Sequence, residues 1–304
     1  MMDTKRGIVN ELHRAARKNF KRRKLYVKGV DDVWQVDLVE MIPYSRVNRG
    51  QKYILTVIDV VSKFAWAVPV ASKTGKKVTA AMKSIFEHLG SHHVPKNIQC
   101  DMGTEFYNSE FRSLMKEHGI NQYSTYTHLK ASVVERFNRT LKGWMWKEFG
   151  VQGNYKWLDI LPKLLRKYNS SVHRTIGMRP KDVSLADQDR LVTLLNKITV
   201  KRRQPRFAVG DIVRISKYKT QFAKGYTPSW STELFTIDSV RNTVPPVYHL
   251  RDEHGGVING AFYEAELQKT RYPDTYLVER VLKRKGGKTY VRWLGMDSTH
   301  DSWI

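Results

Sequence analysis

The sequence predicts an α/β domain followed by small all-β domains, and three observations predict it. Between residues 31 and 200, apolar runs rich in Val, Ile, Trp and Phe alternate with amphipathic stretches of helical period. Beyond residue 207 only short β-rich runs remain, divided by Gly and Pro. A chain of 304 residues is also too long for one ordinary core, so two or three domains are expected.

Residues 1–30 read as a helix and a basic arm. Ile8, Leu12 and Ala15 or Ala16 keep helical spacing, and Lys21-Arg22-Arg23-Lys24 follows. Such an arm suits a phosphate contact or a nuclear-import signal, and a nuclear location is expected. Val33 to Met41 and Tyr53 to Val70, rich in Val, Ile, Trp and Phe, read as strands of an antiparallel meander around the turn SRVNRGQK. Thr74 to Leu89 changes to helical period, with Val78, Ala81, Met82, Ile85, Phe86 and Leu89 on one face and Gly90 as its end. Asn97 to Cys100 is a short strand ending at Asp101, and a helix behind a Ser109 cap follows.

Tyr123 to Lys130 is polar and aperiodic, a loose loop. After it Val134, Phe137, Leu141 and Met145 mark a buried helical stripe. Trp157 to Tyr168 and Leu185 to Ile198 read as helices, and the charged linker 201–206 places a domain boundary near residue 205. Asp211 to Ile215, Phe235 to Val240, Val247 to Leu250 and Tyr263 to Leu267 read as strands of a small barrel over 207–270. In 271–304, Tyr276 to Val281 and Thr289 to Leu294 flank the hairpin signal Lys285-Gly286-Gly287-Lys288.

The formal charge is +24, distributed as +8 in residues 1–30, +9 in 31–200 and +7 in 201–304. A chain basic in every segment suits a long polyanion, because each neutralised phosphate releases counterions; nucleic acid is the expected partner. One cysteine, Cys100, excludes a disulfide framework and a Cys-based zinc finger. His88, His92, His93 and His118 read as solvent-facing loop histidines. The most apolar stretch, Tyr53 to Ala71, is broken by Asp59, Ser62 and Lys63, so no membrane span is expected.

Asp37 stands among apolar residues with no Lys or Arg within three positions. A buried carboxylate without a partner costs roughly 2 kcal/mol or more, so something positive is expected to face it. Together with Asp101 and Glu135 it forms an oxygen-only set that suits a pair of Mg²⁺ or Mn²⁺ ions and two-metal phosphoryl transfer. Asp59 and Glu40 are assigned support or solubility. Glu135, Arg139, Lys142 and Trp146 share one helical face beside the apolar stripe.

The stretches WQVDLVEM, IDVVSKFAWAVPV, CDMGTEFYNSEF and VVERFNRTLK resemble the integrase catalytic core of retroviruses, retrotransposons and, most closely, Maverick/Polinton transposons, over roughly residues 30–200. The resemblance implies an RNase H-like fold in which Asp37, Asp101 and Glu135 hold two Mg²⁺ or Mn²⁺ ions. It implies 3′-end processing of element DNA and strand transfer into target DNA by a homo-oligomer, a dimer or tetramer. Lys130, Arg139 and Lys142 would hold the DNA end. The 33 residues between Asp101 and Glu135 are a shorter spacing than retroviral members usually show, and Met102 replaces a usual Asn. FAVGDIVRISKYK and STELFTI resemble the SH3-like DNA-binding domain of these elements, with Lys217, Lys219 and Lys224 as candidates for DNA contact. The last stretch resembles an incomplete chromodomain, in which Tyr276 and Trp293 match two positions of a methyl-lysine cage for histone tails and Met296 replaces the third aromatic. Two other readings share these features: a domesticated, non-catalytic DNA or chromatin binder, and an RNase H-type nuclease.

Overall fold

The computed structural model describes residues 2–17, 19–22, 25–89, 92–124, 131–197, 204–217 and 226–304. They divide into two compact units, Lys24–Lys197 and Met1–Arg23 with Ile198–Ile304. No helix among the described residues is long and apolar enough to cross a membrane.

Helix α1, Met2–His13, opens the chain. The Lys24–Lys197 unit is built on strands β1 (Val33–Glu40), β2 (Tyr53–Asp59) and β3 (Ala65–Val70), with helix α2 (Gly75–Phe86), strand β4 (Asn97–Gln99), helix α3 (Ser109–Glu117), strand β5 (Asn121–Tyr123) and helices α4 (Ser132–Gln152), α5 (Leu161–Ser170) and α6 (Gln188–Asn196). The sheet order is β3-β2-β1-β4-β5. β1, β2 and β3 form the expected antiparallel meander, while β4 runs parallel to β1 and β5 parallel to β4.

Alternation along β1 sorts its side chains to two layers. Trp34 and Val36 join Leu55, Val57, Met82, Ile98 and Phe111 in one core, under α2 and α3. Val39 and Met41 join Ile54, Ile58, Phe137, Leu141 and Leu164 in the other, under α4 and α5. The sheet is therefore buried on both faces, which explains why its strands read as nearly continuous apolar runs.

Several local expectations are corrected. The stretch read as a plain turn after β1 holds a 3₁₀ helix, Ile42–Asn48, whose Asn48 accepts from the Trp157 N–H at 2.7 Å and donates to the Tyr44 and Tyr155 carbonyls. The cap of α3 is Asn108, which accepts from the Phe111 N–H at 2.9 Å, and not Ser109. His92 does not face solvent: it is buried and shares a hydrogen bond of 2.8 Å with Asp31. Asp59, fully buried, accepts from the backbone of Asp31 and Ser62, which is a supporting role.

The second unit contains a five-stranded antiparallel sheet in the order β10-β6-β7-β8-β9, from β6 (Ile212–Ile215), β7 (Phe235–Arg241), β8 (Val247–Arg251), β9 (Val257–Tyr263) and β10 (Leu267–Lys269). Val213, Ile237, Tyr248 and Leu250 form its core. The expected strand from Tyr263 to Leu267 is instead a junction, because a 3₁₀ turn over Glu264–Glu266 separates β9 from β10. A three-stranded sheet follows, from β11 (Val278–Lys285), β12 (Lys288–Trp293) and β13 (Ser302–Trp303). Gly286 and Gly287 both have positive φ in the β11–β12 turn, the conformation a two-residue hairpin requires.

Helix α1 packs against the rest of the second unit. Ile8 and Leu12 are buried with Trp230, and the Leu12 carbonyl at the helix end accepts from the Ser229 N–H at 2.8 Å. Glu11 accepts from Thr270 and Arg271 and lies 3.6 Å from the Arg214 guanidinium, which is 1% exposed. Removing one partner of a buried pair strands the other charge. Glu11→Ala is expected to lower the stability of the second unit by about 3 kcal/mol, and calorimetry should show the Lys24–Lys197 transition unmoved.

Candidate active site

The candidate site forms on the α4 side of the sheet. Gln35 and Asp37 are two residues apart on β1 and so share that face, and Gln99 stands opposite Gln35 in the parallel register of β4. The same register carried two residues further sets Asp101 beside Asp37. Asp101 accepts from the Gly103 N–H at 3.2 Å, which fixes its carboxylate as the chain leaves the strand.

Glu135 arrives from the first turn of α4. That helix has no side-chain cap of its own at Ala131. Its first free N–H groups instead find Gln35, whose Oε1 accepts from Val133 at 2.9 Å and Val134 at 3.0 Å. The Gln35 amide donates to Gln99 Oε1 at 3.0 Å. One buried side chain therefore joins β1, β4 and the start of α4, the three elements that bear the three acids. Asn138, one turn beyond Glu135, donates to Asp37 Oδ2 at 2.8 Å, while the Leu38 N–H donates to Oδ1 at 2.8 Å.

The electrostatics follow from this placement. Burial pushes the Asp37 carboxyl up to about 6, and the charges of Asp101 and Glu135 push in the same direction against the two hydrogen bonds. Among the described residues no Lys or Arg forms an ion pair with Asp37, Asp101 or Glu135. The nearby Lys73 is bound to Glu105 at 2.9 Å, and that contact, aided by the charges of Asp101 and Glu40, holds its ammonium above the usual range. The carboxylate oxygens of Asp37, Asp101 and Glu135 do not all lie within 4.8 Å of one another, but three acids that repel one another and form no ion pair to Lys or Arg among the described residues make an oxygen donor set suited to a hard divalent cation, which would draw them together.

The exposed face of α4 continues from Glu135 through Arg139, Lys142 and Trp146. Arg139, exposed one turn beyond Glu135, forms no ion pair with it among the described residues. Lys130 lies outside the described residues. Lys217 is exposed just after β6, and Lys219 and Lys224 lie outside the described residues. Tyr276 and Trp293 do come together, with ring centroids 5.7 Å apart. Their small cavity is closed by Met296, Ile8, Leu12 and Arg214.

Gln35, Gln99 and Asn138 were not anticipated as part of this site. A signal existed for the first two: Gln-x-Asp occurs in both strands, as Gln35-Val36-Asp37 and Gln99-Cys100-Asp101.

Comparison with known proteins places these features in context. Residues 28–128 match the integrase core domain family, a span that includes Asp37 and Asp101 and stops before Glu135. The chain is 34% identical over 220 residues to an uncharacterised transposon-derived protein of Caenorhabditis elegans, covering 72% of this chain and 73% of that protein. It is 27% identical over 191 residues to the retrovirus-related Pol polyprotein from transposon 412 of Drosophila melanogaster, covering 62% of this chain but only 15% of the polyprotein. In fold it is similar to a chain of the simian T-cell lymphotropic virus intasome in complex with PP2A regulatory subunit B56 gamma, with a TM-score of 0.57 at 14% identity over 86% of this chain and 89% of that one.

A carboxyl raised on folding binds protons more tightly in the folded state, so stability is lost as pH rises through the raised value. For Asp37 that window runs from the ordinary 3.8 to about 6. Asp37→Asn is expected to stabilise the metal-free chain by about 1–3 kcal/mol at about pH 8, and to have little effect near pH 4. Asn138 permits the change, because its Oδ1 has no partner and a turned amide would accept from the new side chain. Thermal melts at both pH values check this, and added Mn²⁺ should narrow the gap by stabilising only the wild type.

Proposed function

The chain belongs to the integrase-core family of retroviruses and transposons, and on that premise we propose that it is a metal-dependent DNA integrase of a mobile element, of the Maverick/Polinton kind its motifs resemble. The observation that carries this reading is that Asp101 and Glu135 stand near enough to raise the Asp37 carboxyl, with no ion pair from any of the three to Lys or Arg among the described residues. The reaction class is in-line phosphoryl transfer: trimming of the element's 3′ ends, then attack of the new 3′-hydroxyl on a target phosphodiester.

Asp37, Asp101 and Glu135 would hold two Mg²⁺ or Mn²⁺ ions. When bound, these supply the positive charge that favours an ionised attacking oxygen and stabilises the leaving one. The protein contributes position. Gln35 holds the helix start that presents Glu135, and Asn138 and the Leu38 N–H orient the Asp37 carboxylate. Arg139 and Lys142 continue the same face and are suited to phosphate oxygens of the DNA end, with Lys130 preceding them in sequence. Contacts of this kind set the register of the DNA without reading its bases.

Two DNA ends must be joined to one target, so more than one active site is required and a homo-oligomer is proposed. Lys217, with Lys219 and Lys224, would extend the DNA contact in the second unit. The net charge of +24 supports double-stranded DNA as the partner, and with a chromosomal target the reaction would take place in the nucleus. Histone-tail reading by Tyr276 and Trp293 has weaker support, because the buried Arg214 guanidinium in the same cavity wall would repel a methylammonium.

Strand transfer on duplex oligonucleotides carrying the element's ends tests the proposal. Asp37→Asn, Asp101→Asn and Glu135→Gln are each expected to lower joining by at least about 100-fold while DNA binding persists. Undiminished joining by these variants would overturn the assignment, a wild type that binds DNA without turnover would indicate a non-catalytic binder, and cleavage of RNA–DNA hybrids instead of joining would indicate a nuclease. Arg139→Ala and Lys142→Ala are expected to weaken binding of all DNA sequences alike and to lower the salt slope by about 1 each.

A further inference from the structure

Outside the active site, three metal-ligating side chains of the second unit converge. Glu253, His254 and His300 each bring one donor atom into a group whose members lie within 4.8 Å of one another. His300 Nε2 is 3.2 Å from Glu253 Oε1, and His254 Nε2 is 3.9 Å from the same oxygen. Donors around a tetrahedral zinc ion, at bonds near 2 Å, stand about 3.3 Å apart. Small side-chain rotations therefore close the set.

Two of the donors are held by neighbours of the kind a metal ligand needs. Asp297 Oδ1 lies 3.0 Å from His300 Nδ1, the nitrogen remote from the cluster. A carboxylate in that place orients an imidazole and makes its other nitrogen a better ligand. The Tyr276 hydroxyl donates to Glu253 Oε2 at 3.1 Å, leaving Oε1 for the cluster. Glu253 and His254 project from the β8–β9 turn, where Asp252 Oδ1 accepts from the N–H groups of His254 at 3.0 Å and Gly256 at 2.7 Å. His300 ends the 3₁₀ helix Ser298–His300, and the next residue, Asp301, is fastened to Arg292 of β12 by two hydrogen bonds of 2.9 and 2.6 Å. The ligands therefore come from two sequence-distant segments, each fixed independently.

We propose that Glu253, His254 and His300 form a zinc site, with water in the fourth position, that clasps the β8–β9 turn to the C-terminal three-stranded sheet. Two imidazoles and one carboxylate favour zinc over magnesium, which prefers oxygen ligands throughout. The chain would thus sort its metals, hard cations to the three acids and zinc to this clasp. The inference is independent of the integrase reading, since none of its residues belongs to the catalytic face.

The full-length chain, stripped with chelator and held in excess Mg²⁺, is titrated with Zn²⁺, and with Co²⁺ as a spectroscopic stand-in. One Zn²⁺ per chain and a tetrahedral Co²⁺ absorption band are expected, with a rise in the melting temperature of the second unit. His254→Ala and His300→Ala should abolish all three signals, and Asp37→Asn should keep them. His254 is largely exposed, so its variant should fold, which circular dichroism verifies. Asp297→Asn, which keeps an oxygen to cap the 3₁₀ helix, should weaken zinc binding by about 10–100-fold. Absence of zinc uptake by the wild type, or uptake unchanged in both histidine variants, would overturn the proposal.

Discussion

The arrangement of the acids depends on one buried amide. Gln35 is 2% exposed and satisfies two helix-start N–H groups with its oxygen while its nitrogen reaches Gln99. Helix starts carry unsatisfied donors, and in an apolar interior those donors would cost free energy unless paired. A glutamine is long enough to meet them from a neighbouring strand, and its amide supplies both a donor and an acceptor. Two strands and a helix are in this way held in one relative position, and the acids two or three residues further along each element inherit it. The relative placement of the three acids is a by-product of satisfying backbone hydrogen bonds.

That arrangement works against the folded state. Three carboxylates share a partly desolvated face, and burial first, then the charges of Asp101 and Glu135, raises Asp37 to about 6. The surrounding fold tolerates this because its other buried acids are satisfied: Asp31 binds His92 and Trp34, and Asp59 accepts from Asp31 and Ser62. Burial pushes Asp59 up to about 6 as well, with no cation from Lys or Arg in its hydrogen bonds. The difference between the two acids is access. Asp59 is sealed in the core, whereas Asp37 opens toward Asp101 and Glu135 and can exchange its proton for a cation.

Much of this organisation was legible in residue order, and the exceptions have physical causes. The apolar stripe of Val134, Phe137, Leu141 and Met145 placed α4, and the strand pattern placed β1 to β3, because burial on a regular element leaves a period. The placement of Asp37 within β1, Asp101 just after β4 and Glu135 in the first turn of α4 followed from the same periods, with the motif resemblance singling them out. Roles set by tertiary partners left no period. Nothing local marks Glu11 as the partner of Arg214, 203 positions away, so the helix that holds it read without any packing partner. Asn108 and Ser109 are equally good caps by residue type, and only backbone geometry chose the first. His92 read as a loop residue because its acidic partner, Asp31, is distant in sequence. Gln35 and Asn138 are polar residues whose value lies wholly in what they meet across space.

Helix α4 is 21 residues long and unbroken from Ser132 to Gln152. Its near end is held by Gln35, and near its far end Phe149 packs among Tyr44 and Tyr155 at ring distances of 6.1 and 5.3 Å. A helix fixed at both ends transmits any change in residue number as a rotation of about 100° per residue. One residue inserted after Glu135 would carry Arg139 and Lys142 off the acid-bearing face, whereas one inserted before Ser132 would be absorbed by the connection. The short Asp101–Glu135 spacing of this chain is thus a change the architecture permits, and in descent through related elements length should drift ahead of α4 and stay constant within it.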